Sequence, residues 1–385
     1  MLIGIEATHA NKAERTGVEE YCWQVIQELK KIIPSSVKVV LYVNESRKQE
    51  NQKSKNQSDL LGDLPENWSV KELWWPFSKG WSQVRLAFEF LLHPPDIFFA
   101  PGQLVPIICP KKTITMIHDS AFLVFPKAYN FLGRQYLKWM NKLIIKKSST
   151  LLTSSEFNRR ELLRLYGKID QEIKVVPLGY DKKIYKIEDR ENIEKILKKY
   201  LITSPFIISI GRLEEKKNTK RTVQAFNLIK SQLRTPNSEL QLLLVGKPGV
   251  GYEEIKTEIE NSPYKNDILR PGYITSEDLP VLLSLAEAFV FPSLYEGFGI
   301  PVLEAMASGC PVVASRGNAL EEVGGEAALY INPSSSEDIA RAIGRIFLDK
   351  EKRAWMVEAG LKRVKEFSWV KTAEETWKVA RSLIA

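Results

Sequence analysis

The stretch "EAFVFPSLYEGFGIPVLEAMASGCPVVAS", residues 287–315, decides the fold. It opens with a short apolar run ending in proline and serine, which reads as a buried strand leaving a sheet, and it closes on a second apolar run, "PVVAS". Between the two, Gly297 and Gly299 let the backbone come close to another group, and Pro301 suits the start of a helix, where an amide has no partner anyway. The pattern predicts a helix from Ile300 to Ser308. Its free amides and positive end face the carboxyl edge of the sheet, where an anion is stabilised. Glu296 and Glu304 frame the turn with seven residues between them. A carboxylate only accepts hydrogen bonds, so its partners are hydroxyls or amines. A ligand that carries both phosphate and hydroxyls, such as a sugar nucleotide, satisfies the whole stretch. The plainer alternative is a strand, turn and helix whose glutamates face solvent.

Working outward, short apolar runs alternate with helical patterns along most of the chain. "LIGIEA", "VKVVLYV", "DIFFAP", "TITMIHD", "TLLTSS" and "KVVPLG" precede residue 180, and "FIISIG", "LQLLLVG", "ILRPGY", "AFVFPS", "PVVAS" and "ALYIN" follow it. This alternation is the signature of parallel α/β sheets. Two series of about six strands exceed one ordinary open sheet, so two doubly wound domains are expected, residues 1–182 and 183–367. A last helix within 368–385 carries Trp369, Trp377 and Val379 and is expected to pack back toward the first domain. Residues 44–59, "NESRKQENQKSKNQSD", are polar throughout and read as a mobile surface loop.

Composition excludes several classes. The 385 residues are 44% hydrophobic and 10% aromatic, enough for two cores, and no apolar run reaches the length of a spanning helix. The start "MLIGIEATHA" lacks the basic and apolar regions of a signal peptide, so a cytoplasmic chain is expected. Cys22, Cys109 and Cys310 form neither a metal pattern nor a disulfide framework and are expected in the core. The net charge of +8 is uneven, with 26 Lys and Arg against 19 Asp and Glu in residues 1–182. A basic half suits nucleic acid, an anionic membrane surface or an acidic substrate, a solvated surface being the bland alternative. The helical pattern 130–147 sets Tyr136, Trp139, Met140 and Leu143 among cations, a face for either a core or a membrane.

Two further stretches place chemistry at strand ends. In "FIISIGRLEEKKNTKRTVQAF" a strand ends at Gly211 and is followed by Arg212, Lys216 and Lys217, cations suited to a diphosphate. In "TITMIHDSAFLVFP" His118 lies just beyond a strand, where it can hydrogen-bond a sugar hydroxyl or a reacting group. "THANKAERTGVEEY" starts a helix at Gly17 but lacks the G-x-G-x-x-G spacing of a nicotinamide enzyme.

Taken together, "EGFGIPVLE", "GRLEEKKN", "TMIHDSAFLVFP", "TSSEFNRRELLRLYG" with "KVVPLGYD", and "GYITSEDLPVLLSLAEAFVFPS" resemble the retaining GT-B glycosyltransferases of family 4 over nearly the whole chain. The resemblance implies two Rossmann-like domains facing each other across a cleft, and transfer of a hexose from a nucleoside diphosphate sugar with retained configuration and no bound metal or other cofactor. By the same resemblance Glu296 binds the transferred sugar with the amides of Gly297, Phe298 and Gly299 at the helix start Ile300, and Glu304 binds the ribose. Arg212 and Lys217 hold the diphosphate beside Gly211, His118 contacts the donor sugar, and Gly17 closes the phosphate side. Gly246, Lys247, Tyr273 and Ile274 line the base pocket. GDP-mannose is the leading donor and a UDP-sugar the second. The acceptor class is a glycan or a lipid-linked acceptor in cell-surface polysaccharide or glycolipid synthesis, with peripheral contact at the inner face of an anionic membrane and no nucleic acid. A sugar-nucleotide epimerase or phosphorylase of the same fold and a non-catalytic nucleic-acid-binding protein are the rival readings.

Overall fold

The computed structural model describes residues 1–13, 15–45, 60–77, 79–183, 185, 193–203, 205–232 and 239–384. The expected mobile loop therefore lies outside the described residues from 46 to 59, while its first two residues, Asn44 and Glu45, complete a strand.

The chain divides into two units. The first comprises Met1–Val124, Tyr129–Gly179 and Trp369–Ala385. Its sheet has seven strands: β1 (Leu2–Glu6), β2 (Lys38–Glu45), β3 (Trp68–Trp74), β4 (Ile97–Ala100), β5 (Thr113–Ile117), β6 (Thr150–Thr153) and β7 (Glu172–Val175). Their order is β3-β2-β1-β4-β5-β6-β7, and every pairing is parallel. The central strands β4, β5 and β6 are buried along their whole length, as continuous apolar runs demand of strands covered on both faces. β3 was not among the expected strands. "WSVKELW" sits at the sheet edge with only Trp68 and Leu73 fully buried, so it shows no continuous apolar run. The C-terminal helix Trp369–Ser382 belongs to this unit: Thr372 donates to the Pro177 carbonyl at 2.7 Å, and the Trp369 ring lies 6.1 Å from that of Tyr21.

The second unit comprises Phe125–Ala128 and Tyr180–Ser368. Its strands are β8 (Phe206–Ile210), β9 (Gln241–Val245), β10 (Ile268–Gly272), β11 (Ala288–Phe291), β12 (Val312–Ser315) and β13 (Ala328–Ile331), ordered β10-β9-β8-β11-β12-β13 and all parallel. The helix Thr219–Gln232 buries Val223, Phe226 and Ile229 against the sheet residues Ile207, Leu242 and Leu244, together with Ile339 and Ile343 of the helix Ser336–Leu348. Such a sheet reverses strand order once, between β8 and β11 here and between β1 and β4 in the first unit. Loops at the carboxyl ends diverge at that point and leave a crevice, the place where open α/β sheets bind ligands. Cys22 and Cys310 are buried as expected, whereas Cys109 is only partly so.

Candidate active site

At the switch point of the second unit, β8 runs into Gly211 and Arg212, and β11 into the turn that holds Glu296. The two loops are tied together. The Lys216 carbonyl accepts from the Leu294 amide at 2.9 Å and from the Ser293 hydroxyl at 3.1 Å. Asn218, buried and in the left-handed region at φ 59°, donates through Nδ2 to the carbonyls of Pro292 (3.0 Å) and Pro333 (2.7 Å). The clamp aims Lys217 at Glu296: Nζ lies 2.5 Å from Oε1 and 4.9 Å from the centre of the Phe291 ring. Burial pushes the Glu296 carboxyl up, but the charges of Lys217 and Lys216 and the hydrogen bonds of Lys217 and Ser293 bring it below the ordinary carboxylate range. Glu296 is therefore ionised at neutral pH and can only accept. Arg212 is exposed and makes no hydrogen bond or ion pair among the described residues. Asn218 was missed in the sequence; its only signal was an asparagine closing the cationic "EEKKN" turn.

The helix after the turn spans Ile300–Ala307, with Gly299 as its N-cap at φ 105° and Pro301 in its first turn. A side chain at Gly299 would meet Leu320 Cδ2 at 2.3 Å, so the glycine is needed for both its angle and its missing Cβ. Phe298 is buried with its ring 5.9 Å from that of Phe367, which leaves its backbone for any ligand. Glu304 is half-buried one turn into the helix. The base-pocket candidates also cluster. Gly246 follows β9 and donates its amide to the Gly272 carbonyl at 2.8 Å, Lys247 Nζ sits 5.7 Å over the exposed Tyr273 ring, and Ile274 is buried beside it.

Gly246 has φ 142°, and a Cβ there would lie 2.0 Å from the carbonyl oxygen of Gly211. That neighbour is backbone and cannot swing aside. Gly246→Ala is thus expected to cost on the order of 2–4 kcal/mol and to lower the melting temperature by several degrees. A thermal melt unchanged within a degree would show that the β8 and β9 ends are looser than drawn.

In the first unit, His118 follows β5 and is half-buried. Its amide donates to Gln103 Oε1 at 2.9 Å, its Nε2 donates to the Pro101 carbonyl at 2.7 Å, and its carbonyl accepts from Asn158 Nδ2 at 2.5 Å. The Tyr21 ring stands edge-on at 4.9 Å. Burial brings its imidazole down to about 4, so it is neutral at physiological pH. Gly17 starts the helix Gly17–Ile32 and is exposed, but Glu19 and Glu20 occupy the first turn. Their carboxylates already meet the helix's positive end, and they pair with Lys12 (2.8 Å) and Arg15 (3.1 Å).

Comparison with known proteins gives two family matches. The Glycosyltransferase Family 4 profile matches residues 15–183, and the Glycosyl transferases group 1 profile matches residues 189–363. The O-antigen chain mannosyltransferase B of Escherichia coli is 27% identical over 387 residues, covering 97% of each chain. Among solved structures, sucrose-phosphate synthase from Thermosynechococcus elongatus superposes with a TM-score of 0.76 at 18% identity, over 100% of this chain and 99% of that one. HepE of Anabaena, in complex with UDP-glucose, does so with 0.72 at 16% identity over 99% of each chain.

Proposed function

Since the chain belongs to the glycosyltransferases, Family 4 in its first half and group 1 in its second, and has their GT-B fold of two Rossmann-like domains, we propose that it transfers mannose from GDP-mannose to a glycan or lipid-linked acceptor, without a metal and with retained configuration. One observation carries the reading: Lys217 and Glu296 meet at 2.5 Å where the sheet order reverses. An ammonium suits a diphosphate and an ionised carboxylate suits sugar hydroxyls. Two such groups in contact mark the junction of the two, which is the bond that breaks. In this reading Arg212 joins Lys217 on the diphosphate beside Gly211, so that protein cations neutralise the leaving group. Glu304 accepts from the ribose, the amides of Gly297 to Ile300 hold the sugar and phosphate, and Gly246, Lys247, Tyr273 and Ile274 take the base. Gly17 and His118 contribute from the first domain.

The choice of mannose is supported by the Escherichia coli mannosyltransferase relative. A melting-temperature panel of GDP-mannose, UDP-glucose and the free diphosphates tests it, since a ligand at a hundred times its Kd stabilises by about 2.7 kcal/mol. Mass spectrometry of a mannosylated acceptor then completes the test. Stabilisation by UDP-glucose and not by GDP-mannose would reassign the donor.

We further propose that a cytoplasmic form of the chain docks peripherally on an anionic bilayer through its first unit. Among the described residues no helix is long and apolar enough to cross a membrane. Yet Val84, Phe88, Leu91 and Leu92 stand exposed on the segment Trp81–Leu92, as do Phe131 (65%), Leu132 (79%), Tyr136 and Trp139 on the helix Phe131–Lys147. The Tyr136 hydroxyl faces the Ser82 side chain, so the two segments adjoin. Lys138, Lys142 and Lys146 follow along the second helix, and aromatic rings interleaved with cations fit an anionic headgroup layer. Vesicles with anionic lipid should sediment the chain, less so in high salt and less so for Leu132→Asp. Equal binding to neutral vesicles would refute the electrostatic part, and no binding would refute docking.

A further inference from the structure

The turn that carries Glu296 begins where the sheet stops supporting it. The ladder between β11 and β12 ends at Phe291 opposite Ala314, so the carbonyls of Pro292 and Ser293 lie beyond the last paired residues. Buried backbone carbonyls need partners, and two asparagines supply them from the loops on either side of β11. Asn218, after β8, takes the Pro292 carbonyl at 3.0 Å. Asn318, after β12, donates through Nδ2 to the Ser293 carbonyl at 3.1 Å, and the Ser315 hydroxyl donates to the same oxygen. Asn318 is 4% exposed with both ends of its amide engaged: Nδ2 also lies 3.1 Å from Ser315 Oγ, and Oδ1 accepts from the Leu320 amide at 2.9 Å. Three consecutive residues of this loop thus each hold one part of the turn. Asn318 holds Ser293, which is fully buried, donates its hydroxyl to the Lys216 carbonyl at 3.1 Å and faces the Glu296 carboxyl. Ala319 donates its amide to the Glu296 carbonyl at 3.4 Å. Leu320 fills the space beside Gly299, its Cδ2 standing 2.3 Å from where a Cβ there would be.

We propose that Asn318 is a positioning residue for the sugar side of this site, setting the Glu296–Gly299 turn through the Ser293 carbonyl and through the backbone of Ala319 and Leu320. The proposal rests on the glycosyl-transfer reading, adds a residue to it, and lies wholly within the second unit. The chemistry of the position selects asparagine. A carboxylate of the same shape has no hydrogen to give the Ser293 carbonyl and would bury a charge. Serine can accept from the Leu320 amide, as short hydroxyl side chains do in turns, but is too short to reach on to Ser293. An apolar residue would leave the Leu320 amide without its acceptor. Lys217 and Glu296 are therefore fixed separately, one by Asn218 from the β8 side and the other by Asn318 from the β12 side. A carboxylate discriminates between sugars by where its oxygens stand, so it must not follow the ligand. Loosening Asn318 should cost turnover and sugar discrimination, and should leave the diphosphate contacts of Lys217 in place.

The full-length chain, Asn318→Ser and Ser315→Ala are compared by thermal melting, by transfer from GDP-mannose and UDP-glucose, and by titration with GDP and UDP. Carbon NMR follows the Glu296 carboxyl, assigned by its disappearance in Glu296→Gln. Asn318→Ser keeps an acceptor for the Leu320 amide and cuts the bond to Ser293. It should lower kcat by roughly tenfold, with affinity for the free diphosphate within about threefold, and should narrow the preference between the two donors. The Glu296 carboxyl, held low by Lys217 and Lys216, should titrate at higher pH once its turn drifts from them. Ser315→Ala cuts the other side-chain bond on the same carbonyl and should move the same readouts in the same direction by less. It carries the test if Asn318→Ser melts below the assay temperature. A lowered melting temperature with the Glu296 titration and the donor preference both unchanged would mark an ordinary loop brace and overturn the proposal. So would a loss of free-diphosphate affinity as large as the loss of kcat. A wild-type chain that turns over neither donor counts against the glycosyl-transfer reading, and the Glu296 titration then decides on Asn318 alone.

Discussion

Lys217→Ala is expected to lower kcat by ~10²-fold or more, about 3 kcal/mol of transition-state stabilisation, in the range measured for lost oxyanion donors. The reasoning starts from the geometry. Lys217 is held by the clamp of its loop onto the β11 turn, and its ammonium already faces a carboxylate. Negative charge grows on the diphosphate as the glycosidic bond breaks, so a cation fixed beside it is worth more in the transition state than in the bound donor. Arg212 is exposed and has to be recruited to the ligand, so Arg212→Ala should cost less in kcat and more in donor affinity. Steady-state kinetics with the donor, alongside titration of the free diphosphate, separates the two. A Lys217→Ala enzyme with intact kcat and only a raised KM would show that Lys217 binds ground state and transition state alike.

The second large effect should separate the two glutamates. Glu296→Gln removes the charge that meets Lys217 and weakens acceptance from hydroxyls of the transferred hexose. It should lower turnover and sugar discrimination while leaving affinity for free nucleoside diphosphate nearly intact. Glu304→Gln keeps the shape but weakens ribose contacts, so free nucleotide and intact donor should both bind about 1–2 kcal/mol more weakly. Equal loss of free-nucleotide affinity in the two variants would falsify the assignment. Glu296 also carries a pH consequence. Its carboxyl is depressed in the folded chain, so the stability it contributes is fully present above the ordinary carboxylate range and is lost as pH falls through the depressed folded value. Glu296→Gln should flatten the acid side of the melting profile, with little change above neutral pH.

Much of the fold was written locally. Continuous apolar runs of four or five residues, spaced by helical patterns, define buried parallel strands because each such strand must be apolar on both faces. The glycine turn and proline-led helix after β11 are likewise local, so Glu296, Gly299 and Glu304 could be read without a partner in view. The edge strand β3 escaped because one covered face leaves a mixed pattern. The segment Trp81–Leu92 escaped because its apolar residues fall on more than one face, and only the packing reveals that Leu86 and Phe90 face in while Val84, Phe88 and Leu91 face out.

What the tertiary structure alone decided is pairing across the chain. Lys217 and Glu296 are 79 residues apart, and their contact exists because β8 and β11 are neighbours at the point where the sheet reverses its order. Asn318, Ala319 and Leu320 meet Ser293, Glu296 and Gly299 because β12 is the other neighbour of β11 in that order. Residue type and strand end could be read from sequence, and His118 was found that way. Its protonation and its free nitrogen could not, since both follow from burial and from the Pro101 carbonyl 17 residues away. The sequence determined which strands end in chemistry; strand order, a property of the whole sheet, determined which of those ends meet.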